Sequence, residues 1–427
     1  VIFEDVCDWM AAGVRTPEAV PALFAFAQET WAEAPWLVVL AGNGHYDFLG
    51  ALSNEVNHIP PLLLKTGDGI FAADGLMADT DGDGLADVAL GRLPAITTND
   101  LAEMIAKIEG FEADFGAAWQ RDLVLASDLE DTAAGDFAAA NGRLAARAGP
   151  DVGVDRIDLD DTDAATAQVE LLGHFDAGAG LVHYTGHGGV NNWSSKGLLN
   201  QSLVQAMTNA PKPVVVALSC LVGRYEAPGV NSLGELLLRQ AGGGAVAAWG
   251  PSGLSRNQPA TELGEAFYGA VFQEGVRTLG LAVLQAVRSR ERDLTTRDTL
   301  SVYNLLGDPA LRIAGNTGDT SLVESFEQWR WQRFSPQDLA DPGTSAGPGV
   351  FAGYALGNGE PVLAELPEFG FRLPEDAGDG FILRWKRRIQ RGNIRYRLFI
   401  SEDLHTWEVD SPDLDEVGSE PDPDGVM

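Results

Sequence analysis

Two side chains in this 427-residue sequence are suited to nucleophilic chemistry and stand at the ends of apolar runs. His187 closes Leu181-Val182-His183-Tyr184-Thr185-Gly186-His187-Gly188-Gly189, and Cys220 closes Val214-Val215-Val216-Ala217-Leu218-Ser219-Cys220. Short uninterrupted apolar runs read as parallel strands covered on both faces. In open parallel sheets, ligands gather outside the carboxyl ends of the strands. If the two strands are neighbours, an imidazole and a thiol lie side by side there. A free thiol, with a pKa near ~8.5, is mostly protonated at neutral pH, and an adjacent imidazole raises its thiolate fraction. The glycines around His187 leave backbone N–H groups uncovered, so the amides of Gly188 and Cys220 could face a developing oxyanion. His183 falls on the same strand face as His187 but is set back, and reads as a packed core histidine. His45, in Gly44-His45-Tyr46-Asp47, also reads as structural.

The elements that must position this pair alternate along the chain. Strands are expected at Leu37–Leu40, Leu123–Ala126, Leu181–Tyr184, Val214–Leu218 and Ala245–Trp249. Helices are expected after Thr16-Pro17-Glu18, after the Asp100/Glu103 and Ser232/Glu235 capping boxes, and over 262–273 and 279–290. Such alternation implies an α/β fold, a parallel sheet with helices on both faces. The character changes near residue 320. A short helix is expected at Glu324–Phe334 and a Gly/Pro linker at Asp341–Gly349. A β-hairpin is expected from Phe381-to-Trp385 and Ile394-to-Ile400 across Arg391-Gly392-Asn393. The boundaries that follow are an N-terminal α/β subdomain at 1–120 and a catalytic subdomain at 121–320. A helix and linker occupy 321–344, a small β-rich module 345–410, and an acidic, disordered end 411–427.

Composition narrows the function classes. Asp plus Glu number 62 against 29 Lys plus Arg, a formal charge of −33, which argues against nucleic acid or an anionic membrane as the main partner. No apolar run approaches the ~18 residues of a membrane span. Two cysteines, Cys7 and Cys220, do not make a disulfide scaffold. Cys7 has no motif around it and reads as structural. The chain opens on Val1 without a signal pattern, so it reads as a fragment with targeting segments upstream. A second constellation suits a cation: Asp79, Asp81, Asp83 and Asp87 fall at positions 1, 3, 5 and 9 of an oxygen-ligand loop with Gly84 at 6. Position 12 is Leu90 where a calcium loop places its closing Glu, so a structural calcium would be held in a weaker or differently completed site.

The His187 run, Trp193 beyond it, and Ser219-Cys220 together resemble the gingipain family of cysteine peptidases. So do Asp87-Val88-Ala89-Leu90-Gly91-Arg92-Leu93-Pro94 and Leu306-Gly307-Asp308-Pro309-Ala310-Leu311. The likeness spans roughly residues 1–315. It implies a caspase-like fold and a cysteine endopeptidase acting on protein or peptide substrates without a catalytic cofactor. It also implies an extracellular or cell-surface location. By this resemblance Cys220 is the nucleophile and His187 the base. Asp128, preferred to Glu130, orients the histidine, and Asp136 lies on the floor of a pocket for Arg or Lys. Trp193 and Trp249 border substrate. The polar residue near Asn257 departs from the family pattern and leaves the basic preference open; Asp136 reads equally as a helix cap. Transfer of the acyl group to an amine, and an inactive calcium-stabilised surface module, are the rival readings. Oligomeric state is not legible.

Overall fold

The computed structural model describes residues 1–31, 34–53, 55–289 and 294–314, together with four short strand segments farther on. In chain order the strands of the first part are β1 (Leu37–Ala41), β2 (Leu63–Thr66), β3 (Gly69–Ala72), β4 (Ala89–Leu93), β5 (Asp122–Ser127), β6 (Gly153–Asp158), β7 (Leu181–Thr185), β8 (Gly188–Gly189), β9 (Asn192–Trp193), β10 (Leu199–Asn200), β11 (Val214–Leu218), β12 (Ala247–Pro251) and β13 (Tyr303–Leu306). The helices are α1 (Phe3–Ala11), α2 (Ala19–Thr30), α3 (Thr98–Ala113), α4 (Phe137–Ala145), α5 (Ala164–Ala177), α6 (Gln201–Gln205), α7 (Leu233–Arg239), α8 (Asn257–Phe272), α9 (Leu279–Arg288) and α10 (Leu294–Ser301).

Eight strands form one sheet in the order β1-β4-β13-β12-β11-β7-β5-β6. The expected α/β architecture is present, with one feature that alternation of elements does not reveal. β6, β5, β7, β11 and β12 are mutually parallel, and β12 meets β13 antiparallel. β4 is parallel to both β13 and β1. The sheet is therefore two parallel blocks of opposite direction, joined at β12–β13. The carboxyl ends of β1 and β4 face the edge opposite to those of β7 and β11. β1 is an edge strand with Val39 exposed, not a strand buried on both faces.

Side chains alternate across the sheet into two cores. Val124, Ala126, Val182, Tyr184, Val215 and Ala217 pack on one face with Ala167, Leu171 and Phe175 of α5 and Leu233, Leu237 and Leu238 of α7. Leu123, Leu125, Leu181, Val214, Val216, Leu218 and Trp249 pack on the other with Leu144 of α4 and the apolar faces of α8 and α9. A third cluster joins α1, α2, Leu40 and Val88, and contains Cys7. Ser232 and Glu235 cap α7 as expected. The box of α3 is Thr97 with Asp100, one turn earlier than Asp100 with Glu103, because Thr97 is the residue in extended conformation.

A buried ion pair on the β4 side of the junction is reached from the other block by Tyr225. Arg92 of β4 is fully buried; its Nε and Nη2 donate to Asp74 at 2.7 and 2.9 Å, and its Nη1 donates to the carbonyls of Gly42 and Ile59. Its guanidinium lies 4.7 Å from the centre of the Tyr225 ring, whose hydroxyl also donates to Asp74. Every guanidinium nitrogen and both carboxylate oxygens have a partner, as a buried pair requires.

The chain divides into two units, Val1–Gly318 and Asp319–Met427. In the second, Gly370–Arg372 pairs antiparallel with Ile382–Arg384, and Phe399–Ile400 with Glu408–Val409. The helix expected at Glu324–Phe334, the linker, the turn at Arg391–Asn393 and the acidic end lie outside the described residues. Among the described residues no helix is long and apolar enough to cross a membrane.

Removing one partner of the buried pair leaves an uncompensated charge. Asp74→Ala is expected to cost about 3–5 kcal/mol, read as a lowered unfolding midpoint. An unchanged midpoint would show that the buried charge finds compensation elsewhere.

Candidate active site

Register decides whether the imidazole and the thiol meet at one edge. β7 and β11 are parallel neighbours, with Thr185 opposite Leu218. His187 and Cys220 each follow two residues later, so the chain leaves both strands at one level. Gly188 lies directly against the Ser219-Cys220 backbone: a Cβ there would meet Ser219 Oγ at 2.1 Å and the Cys220 carbonyl oxygen at 3.1 Å. Gly188 is thus required by close approach.

The thiol is partly buried and unpaired. Sγ donates to the Ser255 carbonyl at 3.5 Å and accepts from the Ser255 amide at 3.4 Å. Burial pushes the thiol's pKa up; the Ser255 N–H opposes this, and the nearby carboxylate of Asp68 adds to it. Leu221, immediately after Cys220, has φ of 63°, an uncommon conformation for a branched residue. It makes the sharp turn that carries the chain away from the strand. The Cys220 amide has no hydrogen-bond partner among the described residues.

The imidazole of His187 is half exposed and lies edge-on to Phe137 at 5.4 Å. Its Nε2 sits 3.0 Å from Asp131 Oδ2. The Asp131 carboxylate is held below its usual range by the amides of Ala133 and Ala134 and then by His187 itself. The expectation for Asp128 is corrected here. Its carboxylate reaches the His187 backbone amide, at 3.2 Å, not the ring. Alternation explains the difference: Asp128 continues the face of Val124 and Ala126, whereas the ring packs beside Phe137 of α4. Asp131 was not singled out by motif; the turn it makes with Gly135 was the available signal.

The Gly188 amide can be placed by strand pairing. The Ser194 N–H donates to the His187 carbonyl at 2.8 Å, and Gly188 stands opposite Trp193. Hydrogen-bonded and non-bonded pairs alternate in antiparallel ladders. Gly188 is therefore in a non-bonded pair, with its N–H turned away from β9.

Asp136 is not a buried pocket floor. It is exposed and caps α4, accepting from the Ala139 amide at 2.7 Å. It stands one residue before Phe137, beside the His187 ring. Trp193 and Trp249 are corrected too. Both are fully buried, Trp193 stacked on Tyr184 at 4.7 Å and Trp249 packed against Phe267 and Tyr303. They are core residues, as their places on inward strand positions dictate. His183 is likewise buried; it contacts Thr185 and Tyr268, and burial pushes its pKa down to about 3. His45 is buried against Asn57.

Three consecutive residues frame the site. Ser255 holds the thiol, Arg256 lies 3.6 Å from Asp68 at the tip of the β2–β3 hairpin, and Asn257 donates to the Ala134 carbonyl in the Asp131 loop. Away from this edge, Asp79, Asp81 and Asp87 bring carboxylate oxygens within 4.8 Å of one another. Asp83 is not in that group; its Oδ1 accepts from the Leu85 amide. Asp87 also binds Thr80 and Arg288.

The family described as Peptidase family C25 matches residues 1–314. Among solved structures, the Arg specific cysteine proteinase gingipain R (RgpB) superposes with a TM-score of 0.58 at 16% identity, over 73% of this chain and 75% of that one. The complex of Porphyromonas gingivalis RgpB pro- and mature domains gives 0.58 and 16%, over 73% and 76%. A structure described only as a protease gives 0.54 and 16%, over 73% and 76%. No curated protein matches the sequence.

A thiol held protonated should react slowly near neutrality. In a Cys7→Ser background, iodoacetamide modification of Cys220 is expected to rise about tenfold per pH unit across pH 7–9, following the thiolate fraction. Asp68→Asn removes a charge that disfavours thiolate and should speed the reaction at pH 7.5. A rate that levels off below pH 8 would contradict the raised pKa.

Proposed function

The chain belongs to peptidase family C25, a family of cysteine-type peptidases, and on that premise we propose that it cleaves peptide bonds with Cys220 as nucleophile and His187 as base. The observation that carries this reading is the parallel register that brings both residues to one sheet edge. A neutral imidazole that donates its Nε2 proton to Asp131 keeps the Nδ1 lone pair free. On substrate binding the thiol leaves Ser255 and gives its proton to that ring. Sγ then attacks the scissile carbonyl carbon, and the oxygen gains the negative charge. The amides of Gly188 and Cys220 are the donors suited to that charge. His187 returns the proton to the leaving amine as the C–N bond breaks. Water then gives a proton to His187 as it adds to the thioester carbonyl, the C–S bond breaks to release the acid, and that proton restores the thiol.

Preference for Arg or Lys before the scissile bond is supported by the exposed carboxylates near the dyad. Asp136 has one oxygen committed to the cap of α4, and Asp68 is only loosely paired with Arg256. The polypeptide substrate and the strongly acidic composition accord with the extracellular setting that the resemblance implies.

Calcium is the cation suited to Asp79, Asp81 and Asp87. The donors are all hard carboxylate oxygens and the loop is already turned by its own amides: Gly82 and Gly84 donate to Asp79. Its part would be structural, since the loop supplies nothing to the dyad.

Cys220→Ala and His187→Ala are each expected to lower kcat about 10⁴-fold or more in cleavage of a positional peptide library. Asp136→Asn is expected to lower the yield of cuts after Arg and Lys. Full activity of Cys220→Ala would end this reading. Millimolar calcium should raise the melting temperature over that in EDTA, and Asp81→Asn should shrink the difference. An equal melting temperature in both buffers would remove calcium from the account.

A further inference from the structure

Asp128 is the residue that the site leaves without a catalytic part, yet it is 4% exposed and makes four hydrogen bonds. Its Oδ1 accepts from the Ser194 hydroxyl at 2.7 Å and from the Leu129 amide at 2.9 Å. Its Oδ2 accepts from the His187 amide and lies within reach of the Tyr184 hydroxyl, each at 3.2 Å. The partners converge on a single peptide segment. The Tyr184 hydroxyl stands 2.7 Å from the His187 carbonyl, and that carbonyl also receives the Ser194 amide. Both backbone groups of His187 are therefore fixed, one by Asp128 itself and the other by two residues that Asp128 holds.

Packing tightens the same segment. A Cβ on Gly186 would come within 2.4 Å of Asp128 Cβ, so the chain passes directly over the carboxylate. Trp193 stacks on Tyr184 and backs the hydroxyl from behind. Ser194 sits at a φ of 57°, a conformation whose cost its hydroxyl and amide bonds offset. Next in the chain after His187 is Gly188, and the peptide plane that His187 C=O belongs to is the plane that carries the Gly188 N–H. Fixing that carbonyl fixes the direction of that amide.

We propose that Asp128 is a positioning residue: it holds the His187–Gly188 peptide plane so that the Gly188 amide faces the oxyanion. This rests on the peptidase reading above for its catalytic consequence, but not for its structural one. Asp128 and Asp131 then divide what one carboxylate was expected to do, the first acting on the main chain and the second on the ring.

Two measurements separate the roles. Hydrogen–deuterium exchange on the full chain follows the amides of 186–194 in wild type, Asp128→Asn, Ser194→Ala and Asp131→Asn. Exchange should speed about tenfold or more in Asp128→Asn, by less in Ser194→Ala, and stay unchanged in Asp131→Asn. Unchanged exchange in both Asp128→Asn and Ser194→Ala overturns the proposal whether or not any peptide is cleaved. In peptide hydrolysis, Asp128→Asn should lower kcat about 10- to 100-fold, short of the 10²–10³ expected for a lost oxyanion donor. KM and the acid limb of the pH profile should stay in place. Asp131→Asn should move that limb to lower pH, because a lost carboxylate neighbour disfavours the protonated ring. An acid limb displaced equally by both variants would return Asp128 to the ring and refute the proposal. Wild-type exchange as described with no peptide cleavage would refute the peptidase reading alone.

Discussion

Parallel pairing of β7 with β11 is the constraint on which the site depends. Thr185 stands opposite Leu218, and each strand ends at the same height. A slip of one residue would turn every side chain of one strand to the other face. It would bury Tyr184 where Leu181 and His183 now lie. The two cores forbid this, since Val182 and Tyr184 fill one and Leu181 fills the other. The placement of His187 and Cys220 at one edge is thus enforced by apolar packing some distance below them. The glycines at 186 and 188 then let the chain pass over Asp128 and against Ser219-Cys220, where any Cβ would collide.

The second constraint comes from the junction of the two strand blocks. β13 begins beside the active edge, with Tyr303 paired to Pro251, and runs back across the sheet to reach Arg92 through Leu306. The loop after Cys220 is pinned by Tyr225 to the Arg92–Asp74 pair, which belongs to the other block. Residues of the first third of the chain therefore bear on the loop that follows Cys220. Asp68, at a hairpin tip in that same third, bears on the thiol directly.

Much of this was legible in the sequence for a physical reason. Strand runs at Leu123, Leu181 and Val214 are apolar on both faces because they are central strands, and such runs announce themselves. His187 and Cys220 were legible as their terminal residues. What was not legible is which face a residue beyond a strand end takes up. Asp128 was assigned to the ring because it closes a strand, yet the alternation of Val124 and Ala126 carries it to the opposite side. Trp193 and Trp249 were read as substrate contacts, but each occupies an inward position and is buried. Asp136 was balanced between cap and pocket; the extended backbone at the start of α4 makes it a cap. The reversal of β1 and β4 was invisible too, since strand direction between distant segments leaves no local trace.

The state of the thiol follows from what surrounds it. Ser255 offers it a carbonyl to donate to and an amide to accept from, and a neutral thiol satisfies both while a thiolate satisfies only the second. Burial and Asp68 disfavour the charge further. The imidazole, for its part, is engaged with Asp131 and not with sulfur. The thiol and the imidazole are accordingly each held by a separate partner, Ser255 and Asp131. Ser255 and the Asp131 loop are joined through Asn257, only two residues beyond Ser255, which donates to Ala134. A peptide entering between these partners would disturb both through one short segment. On the peptidase mechanism proposed above, proton transfer would be coupled to substrate entry: the imidazole is oriented beforehand by Asp131, and the thiol is released when substrate displaces the Ser255 contacts.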